Sequence, residues 1–533
     1  MLRRWRRKSH AFAKRALEKS FSPMNRKLDV LFVNPNSSLH VYQDLSKDYS
    51  AKEPPTWSLL LAQSCRAVGY GVAILDCDVE RLAPEAATAR IREADPRLVC
   101  LVVYGQNPSS GTTNMSGTVD LCNYLKNVHP EYPICVVGSH ASALPKEVLA
   151  IPGVDVVLVN EGVYALRNLL ASDLKNDLPK IKGIGYKGED GQPVLNPPEA
   201  VVPHERMDTD LPGYAWDLLP YKQKPFDMYR AHLWHADFQD QYKTPFAALY
   251  TSLGCRFKCD FCMINIVNRT DHGDDVASNK SNFMRFWSPE FILKEFDKLV
   301  QQGVNTIRIV DEMFFLDKRY YEPLLRGLVE RGYGEQLRMW TYSRVDTVRK
   351  DQLELFRKAG VRWFCLGIEA ASQTIRREVT KGTFQEVNIR KAVQEVRDAD
   401  INVIANYIFG FPDDTLESMQ QTLDLSLEMN TEMWNGYACM ALPGSPLYFE
   451  ARARNIKMPE SYAGYGFLAY ECQPMATKHV SAADVLRFRD HAWRTYFSHQ
   501  PFLDLVSRRF GPNAIANING LKGVKLRRKL LGD

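Results

Sequence analysis

Short apolar runs alternate with helix-length amphipathic stretches in the first third of the chain. The runs lie at 28–35, 71–78, 98–105, 134–140 and 154–162. Buried strands joined by single helices predict a parallel sheet with helices on both faces. Small polar loops follow these runs, and ligands bind such sheets beyond the carboxyl ends of the strands. We therefore expect a doubly wound ligand-binding domain.

The same alternation returns in the second half of the chain. Its apolar runs lie at 246–252, 305–310, 338–342, 362–368, 402–409 and 434–441. Six strand–helix units predict a partial (β/α)6 barrel, with catalytic groups at the carboxyl ends of the strands. The predicted domains are 1–27 (a basic extension), 28–180 (the first sheet), 181–245 (a linker), 246–450 (the barrel) and 451–533 (a mainly helical region).

The linker contains a nominal dinucleotide motif, formed by Gly183, Gly185 and Gly188. We discard it because that motif must open a helix, whereas a turn and another strand follow here. The linker also contains several aromatic and imidazole side chains. They are expected either to cover the active site or to form an ordinary packing surface between domains: Trp216, Tyr221, Phe226, Tyr229, His232, Trp234 and His235.

Composition narrows the class of protein. The chain has 533 residues, of which 45% are apolar and 25% charged, so a disordered, fibrous or disulfide-scaffold protein is excluded. No apolar run is long enough to span a bilayer, and no secretory signal opens the chain, so a cytoplasmic location is expected. In a reducing compartment the 11 cysteines are expected to be thiols or metal ligands.

Positive charge is concentrated at the two ends of the chain. Residues 1–27 contain ten Lys/Arg against Glu18, and residues 521–533 contain five against Asp533, while the whole chain carries +5. The body between them is therefore acidic and is not expected to bind nucleic acid. The basic ends are candidates for peripheral contact with an anionic membrane surface. A flexible terminus explains the first segment at least as well, and a transit peptide ranks third.

The strongest chemical signal is the loop that follows the first barrel strand. Cys255, Cys259 and Cys262 have CxxxCxxC spacing, and no fourth cysteine is near. Three thiolates can hold three irons of a [4Fe–4S] cluster and leave the fourth iron open. The alternative is a structural Cys₃His zinc site that uses His272. Cys65, Cys77, Cys100, Cys122 and Cys135 are expected to be small core residues, and core filling is also expected for Cys365 and Cys439.

These motifs resemble the radical S-adenosylmethionine (radical SAM) family. The resemblance rests on the three cysteines with Phe261, and on IRIVDEMFFLD, YSRVD, LGIEAAS, FGFPDDT and LPGSPLY at successive strand ends. GSHASALPKE and NEG resemble loops of the Rossmann- or flavodoxin-like cobalamin-binding domain that precedes the barrel in one subfamily. The match covers residues 28–450 and implies that three cofactors are bound: a [4Fe–4S] cluster, S-adenosylmethionine and cobalamin.

The resemblance also implies roles for individual residues. Asp311 or Glu312 is expected to accept hydrogen bonds from the ammonium of S-adenosylmethionine, Arg344 to pair with its carboxylate, and Glu369 to bind its ribose or amino group. Gly410 would let the backbone approach the adenine, and Phe261 would lie beside the cofactor. The alternatives are a helix cap for the acidic pair, a rim salt bridge for Arg344 and a strand end for Gly410.

The cobalamin residues are inferred from the loops of the first sheet. They are Tyr104, Asn107, Ser109, Gly138, His140, Ser142, Glu161 and Gly162. The chain lacks Asp-x-His-x-x-Gly, so His140 is expected to hydrogen-bond the cofactor rather than ligate cobalt. Trp57 and Tyr104 are expected either to pack against the corrin or to be core aromatics.

The resulting hypothesis is a radical SAM C-methyltransferase that acts on an unactivated carbon through a 5′-deoxyadenosyl radical and methylcobalamin. An oxidative cyclase or rearrangement enzyme is the first alternative, and a non-catalytic cobalamin- or zinc-binding regulatory protein is the second. The expected partners are a small-molecule or lipid-linked substrate and a low-potential electron donor such as flavodoxin or ferredoxin.

Overall fold

The structure is a computed structural model that describes residues 28–105, 110–220, 224–232, 243–271, 273, 276–384 and 386–533. The basic extension 1–27, Asn107, Ser109 and His272 lie outside the described residues, as do Tyr221, Trp234 and His235. None of the described helices is long and apolar enough to cross a membrane.

The first sheet has seven strands in the order β2-β1-β3-β4-β5-β6-β7. They are β1 (Val30–Asn34), β2 (Val72–Asp76), β3 (Leu98–Val103), β4 (Ile134–Gly138), β5 (Val156–Leu158), β6 (Ile184–Lys187) and β7 (Pro193–Leu195). The first five are parallel, as predicted, and β6 and β7 add an antiparallel edge. The hairpin predicted to open the linker is therefore part of this sheet.

Helices cover both faces of the first sheet. They are α1 (Ser38–Tyr42), α2 (Leu45–Asp48), α3 (Thr56–Arg66), α4 (Pro84–Ala94), α5 (Gly111–Val128), α6 (Ser139–Ala143), α7 (Pro145–Leu149), α8 (Val163–Leu170) and the short α9 (Met207–Asp210). Strand order reverses between β1 and β3, and such a reversal places the ligand-binding crevice beyond these two strands.

The second sheet is a six-stranded partial barrel in the order β15-β14-β13-β12-β11-β8, all parallel. Its strands are β8 (Phe246–Leu249), β11 (Thr306–Ile309), β12 (Arg338–Arg344), β13 (Val361–Glu369), β14 (Asn402–Phe409) and β15 (Met433–Ala438). A two-stranded antiparallel pair, β9 (Ser252–Gly254) and β10 (Met284–Phe286), follows β8. The predicted partial barrel is confirmed, with strand ends within a few residues of the predicted positions.

The barrel helices alternate with its strands. They are α10 (Pro289–Gln301), α11 (Lys318–Glu330), α12 (Lys350–Lys358), α13 (Gln373–Val379), α14 (Ile389–Asp398), α15 (Leu416–Met429) and α16 (Pro446–Ala453). The C-terminal region contains α17 (Ala482–Phe497), α18 (Gln500–Phe510) and α19 (Pro512–Gly523). α17 packs beside β14 and β15, and α18 and α19 pack on α17 and on each other. The predicted helical character of this region is confirmed.

Buried polar contacts join the two sheets. Arg285 in β10 lies 2.8 Å from Glu161 in the loop after β5, and both side chains are almost fully buried. Arg308 in β11 binds both carboxylate oxygens of Glu53, at 2.6 and 2.7 Å. Trp57 adds an aromatic contact, because it packs between side chains of both sheets. The two sheets are therefore held with the carboxyl ends of their strands facing each other.

We predict that the Arg285–Glu161 pair fixes this arrangement. R285M should lower the apparent free energy of unfolding by about 3–5 kcal/mol, because it leaves a buried carboxylate without its counter-ion. The double variant E161Q/R285M should lose less than the sum of the two single changes. Urea titration measures both effects, with R326Q, which breaks an exposed pair on α11, as the control. A loss in R285M no larger than in R326Q would contradict the prediction.

Candidate active site

The three-cysteine loop is held by short-range hydrogen bonds. Cys255 directly follows β9, and its N–H donates to the side-chain oxygen of Asn265 at 2.8 Å. Asn265 in turn donates to the carbonyl of Phe257 at 3.3 Å, inside the loop. Gly254 has φ +89, and a side chain there would collide with Asn268. The loop conformation therefore depends on its own polar side chains and on one glycine.

The environment of the thiols suits an iron–sulfur cluster. Backbone N–H groups of Phe257 and Ile264 point at the sulfurs of Cys255 and Cys262, at 3.4 and 3.5 Å, as in proteins that tune clusters with N–H···S bonds. Burial raises the pKa of Cys255 to about 11 and that of Cys259 to about 12. Metal binding must therefore displace the thiol protons.

The zinc alternative needs a fourth protein ligand. Among the described residues, no three cysteine, histidine or carboxylate side chains converge closely enough to hold a single metal ion. Its proposed fourth ligand, His272, lies outside the described residues. Metal content distinguishes a zinc site from a cluster.

Arg344 lies beside the cysteine loop. Its guanidinium stacks on Phe257, 3.6 Å from the ring centre, and lowers the pKa of Cys259 against the effect of burial. It also makes a bidentate pair with Asp346 at 2.9 and 2.6 Å and donates to the carbonyl of Thr383. Arg344 is therefore next to the cluster position but already has a protein carboxylate as its partner.

The two acidic residues after β11 have different environments. Asp311 accepts three hydrogen bonds, from the backbone and hydroxyl of Thr251 and from the hydroxyl of Ser252. Glu312 accepts no hydrogen bond from any described group. In addition to burial, its charge raises the pKa of Cys255 and of Cys262. Burial raises the pKa of Glu312 to about 7. Glu312 is thus the acidic residue of the pair that is available to a ligand.

Glu369 is a second carboxylate without a hydrogen-bond donor among the described residues. It is buried at the end of β13, has φ +67, and burial raises its pKa to about 7. Its carboxylate lies over Gly367, where an added Cβ would come within 2.5 Å of the oxygen. The chain thus holds a strained, unpaired acceptor beside the cluster loop, which is typical of a ligand-binding residue.

Phe261 and Gly410 connect the cysteine loop to the end of β14. The ring of Phe261 packs 5.5 Å from that of Phe411. Gly410 has φ +90, and an added Cβ would meet Val485 of α17 at 2.5 Å. Its N–H donates to Asp414 at 3.0 Å. The side of Gly410 where a Cβ would stand is therefore filled by the C-terminal region.

The predicted cobalamin residues are mostly engaged by protein groups. His140 contacts Thr112 through Nδ1 and Glu147 through Nε2, both at 3.1 Å. The hydroxyls of Tyr104 and Ser142 both donate to the carbonyl of Asn160. The other members of this set are also buried: Gly138, Glu161 and Gly162. These residues shape the loops beyond the first sheet, and in this structure neither ring nitrogen of His140 is free.

A cavity of about 530 Å³ lies where the two sheets face each other. From the first sheet it is lined by the segment after β1 and by Ser110 after β3, which are the two sides of the strand-order reversal. The barrel strands and the C-terminal region form the other walls. Sequence reasoning located this crevice but named none of its lining residues from the first sheet: Tyr42, Leu45, Tyr49, Ser50 and Glu53.

Sequence reasoning also missed the polar cluster at the inner end of the cavity. Arg308 stacks on Tyr342, 4.9 Å from the ring centre, and Cys365 lines the same cavity. Nη2 of Arg308 has no acceptor among the described residues. Arg308 is the one charged residue in the otherwise apolar strand sequence TIRIV. This cation in a buried strand is the sequence signal by which Arg308 could have been found. Cys365 lines the cavity, so core filling describes it incompletely.

The described linker aromatics mostly pack between domains. Trp216 donates to Glu295 at 3.0 Å, Tyr229 donates to Asp76 at 2.9 Å, and Phe226 is buried beside Trp216. These contacts favour the packing alternative. His232 differs, since it lines the cavity.

Comparison with known proteins agrees with this architecture. Residues 249–426 match the Radical SAM superfamily, and residues 46–170 match the B12 binding domain. An uncharacterized methyltransferase of Pyrococcus horikoshii is 24% identical over 83% of this chain and 88% of its own. The anaerobic magnesium-protoporphyrin IX monomethyl ester cyclase of Cereibacter sphaeroides is 23% identical over 84% of this chain and 67% of its own.

A solved structure shares the whole fold. The radical S-adenosylmethionine methyltransferase TsrM of Kitasatospora setae, bound to tryptophan and a SAM analog, superposes with a TM-score of 0.64 at 17% identity. The match covers 93% of this chain and 98% of that protein. The order of the domains and both parallel sheets are therefore those of a solved fold.

We predict that Glu369 destabilises the protein when it is ionised. Because its pKa is raised in the folded state, the folded protein favours the protonated form, and stability is lost as the pH rises through about 7. E369Q should therefore raise the free energy of unfolding at pH 8 by up to about 3 kcal/mol, with a much smaller effect at pH 5. Urea titration of metal-free protein tests this, with exposed E330Q as the control. Equal effects at the two pH values would contradict it.

Proposed function

Because the chain joins a B12 binding domain to a radical SAM domain, we propose that it is a cobalamin-dependent radical SAM enzyme that methylates an unactivated carbon. One observation carries the proposal. Glu312 lacks a hydrogen-bond donor among the described residues. Beside burial, its charge raises the pKa of Cys255 and Cys262, and the charge of Arg308, which lines the cavity, lowers the pKa of Glu312. These contacts support a radical-forming position next to the cavity, which Tyr49, Glu53 and Ser110 of the B12 binding domain line.

A [4Fe–4S] cluster, S-adenosylmethionine and cobalamin, when bound, would supply radical formation and a transferable methyl group. Cys255, Cys259 and Cys262 would ligate the cluster. Glu312 and Glu369 would accept hydrogen bonds from the ammonium and hydroxyl groups of S-adenosylmethionine, which supply the donors that both carboxylates lack.

Arg344 would neutralise negative charge at the cluster rather than form the main contact with the methionyl carboxylate, because Asp346 already occupies the Nε–Nη2 edge of its guanidinium. The aromatic cavity wall would exclude water from the reacting carbon. A low-potential electron donor is required by the proposed chemistry.

A cyclase is the second candidate, since a relative of similar identity carries that name. Both candidates use the same cofactors, so the residues that bind cofactors cannot separate them. The fate of the methyl group of S-adenosylmethionine distinguishes the two candidates.

Metal content tests whether the three cysteines hold an iron–sulfur cluster. Protein purified without oxygen from cobalamin-supplied cells should contain about four irons and one cobalt per chain and should release 5′-deoxyadenosine on reduction. The triple variant C255A/C259A/C262A should lose the iron and this activity, whereas the control C77A, which removes a core thiol of the first domain, should keep both. Stoichiometric zinc without iron would support the zinc-site alternative and overturn the proposal, as would iron content unchanged in the triple variant.

Formation of S-adenosylhomocysteine distinguishes methylation from cyclisation even when the substrate is unknown. A methyltransferase that uses S-adenosylmethionine as methyl donor should form S-adenosylhomocysteine in a cobalamin-dependent manner under reducing conditions. Mass spectrometry with methyl-deuterated S-adenosylmethionine measures this, and cobalamin-free protein is the control. Formation of 5′-deoxyadenosine without any S-adenosylhomocysteine would favour the cyclase.

A further inference from the structure

The cavity between the two sheets carries more positive than negative charge. Among the residues that the structure describes, five cationic side chains and two carboxylates line it. Both carboxylates are already paired: Glu53 binds Arg308 at 2.6 Å, and Asp490 binds Arg489 at 2.9 Å and Arg528 at 2.8 Å. The described lining therefore retains a surplus of cations that none of its described carboxylates neutralises.

The surplus comes from Arg494 on α17, Lys522 on α19 and Lys525 in the segment that follows. All three are solvent-exposed, so they mark the mouth of the cavity. None of them forms an ion pair with a residue in the described part of the chain. Three cations without counter-ions on one cavity wall create a positive potential that attracts anions from solution.

The segment that carries these lysines is anchored. Arg528, which is 2% exposed, makes a bidentate pair with Asp490 at 2.9 and 2.8 Å and donates to the carbonyls of Phe467 and Ala469. Gln43 of the first domain exchanges two hydrogen bonds with the backbone of Arg527. The lysine backbones are thus held in place at the mouth by one buried guanidinium and one amide.

The cavity wall between the mouth and Arg308 is rich in apolar and aromatic side chains. They come from the barrel, the first domain and the C-terminal region: Leu45, Tyr49, Trp434, Phe467, Trp493, Phe497, Leu521 and Leu526. Such a wall stabilises an apolar body by removing its surface from water. The arrangement is therefore amphipathic, with an apolar body and a cationic mouth.

We propose that the substrate of this cavity is an amphiphilic anion. Its apolar body lies along the aromatic wall, and a carboxylate- or phosphate-like group stays at the mouth with Arg494, Lys522 and Lys525. This inference rests on the proposed function, because it names the substrate class of the same site. The reacting carbon belongs to the end of the substrate that is remote from the anionic group.

The test compares two probes with similar apolar bodies. Equilibrium dialysis measures binding of 8-anilinonaphthalene-1-sulfonate, an anion, and of neutral N-phenyl-1-naphthylamine to protein loaded with iron and cobalamin. R494Q/K522Q/K525Q should weaken binding of the sulfonate roughly tenfold and leave that of the neutral probe unchanged. The control K175Q/K182Q/K294Q removes the same charge outside the cavity and should change neither. Equal losses in the two triple variants, or no saturable sulfonate binding by the wild type, would overturn the proposal.

Two further measurements interpret the result. Iron, cobalt and 5′-deoxyadenosine are measured on the same samples. If the cofactor chemistry is intact but R494Q/K522Q/K525Q binds the sulfonate as well as the control variant does, only the substrate class is overturned. Absent cofactor chemistry with selective sulfonate binding overturns only the proposed function. Co-sedimentation with phosphatidylglycerol vesicles identifies the source of the anion: binding that the R494Q/K522Q/K525Q variant loses indicates a lipid headgroup, and no binding indicates a soluble anion.

Discussion

Two buried ion pairs across the domain boundary determine where the chemistry can occur. Arg285 and Arg308 come from barrel segments, and their partners Glu161 and Glu53 come from loops that follow strands of the first sheet. Removing one partner from such a pair is costly because the remaining charge stays buried. Both pairs therefore oppose separation or rotation of the sheets. Their consequence is a shared cavity at the carboxyl ends of two parallel sheets, where each fold alone would bind a ligand.

Hydrogen bonding distinguishes the polar residues of the scaffold from those of the site. His140, Tyr104 and Asp311 bind protein groups and hold loops in place. Glu312 and Glu369 lack donors in the described structure, and both have a raised pKa. A buried acceptor without a donor destabilises the folded protein, so its retention favours a role in binding. The presence or absence of a hydrogen-bond donor thus distinguishes Asp311 from Glu312. Their neighbouring positions in the sequence do not distinguish them.

Much of the fold was predictable because buried parallel strands form short apolar runs between helices. The predicted strands match all five parallel strands of the first sheet and all six of the barrel. The β6–β7 hairpin was assigned to the linker because a hairpin signal does not reveal which sheet edge it joins. The cysteines were recognisable from local spacing alone. Glu53 and Arg308 were not recognised, since their pairing depends on contact between residues 255 positions apart.

The C-terminal segment shows why a charge count is a weak guide to location. Its five Lys/Arg residues in 521–533 suggested a basic end that contacts a membrane surface, yet Arg528 is buried against Asp490, and Lys522 and Lys525 line the cavity. Composition cannot distinguish a docked cation from a free one, because the difference lies in tertiary contacts. The body of the chain is acidic, so its general field repels anions, whereas local cations at the mouth attract them. A focused positive site on an acidic protein favours entry of an anion at that site over non-specific binding elsewhere.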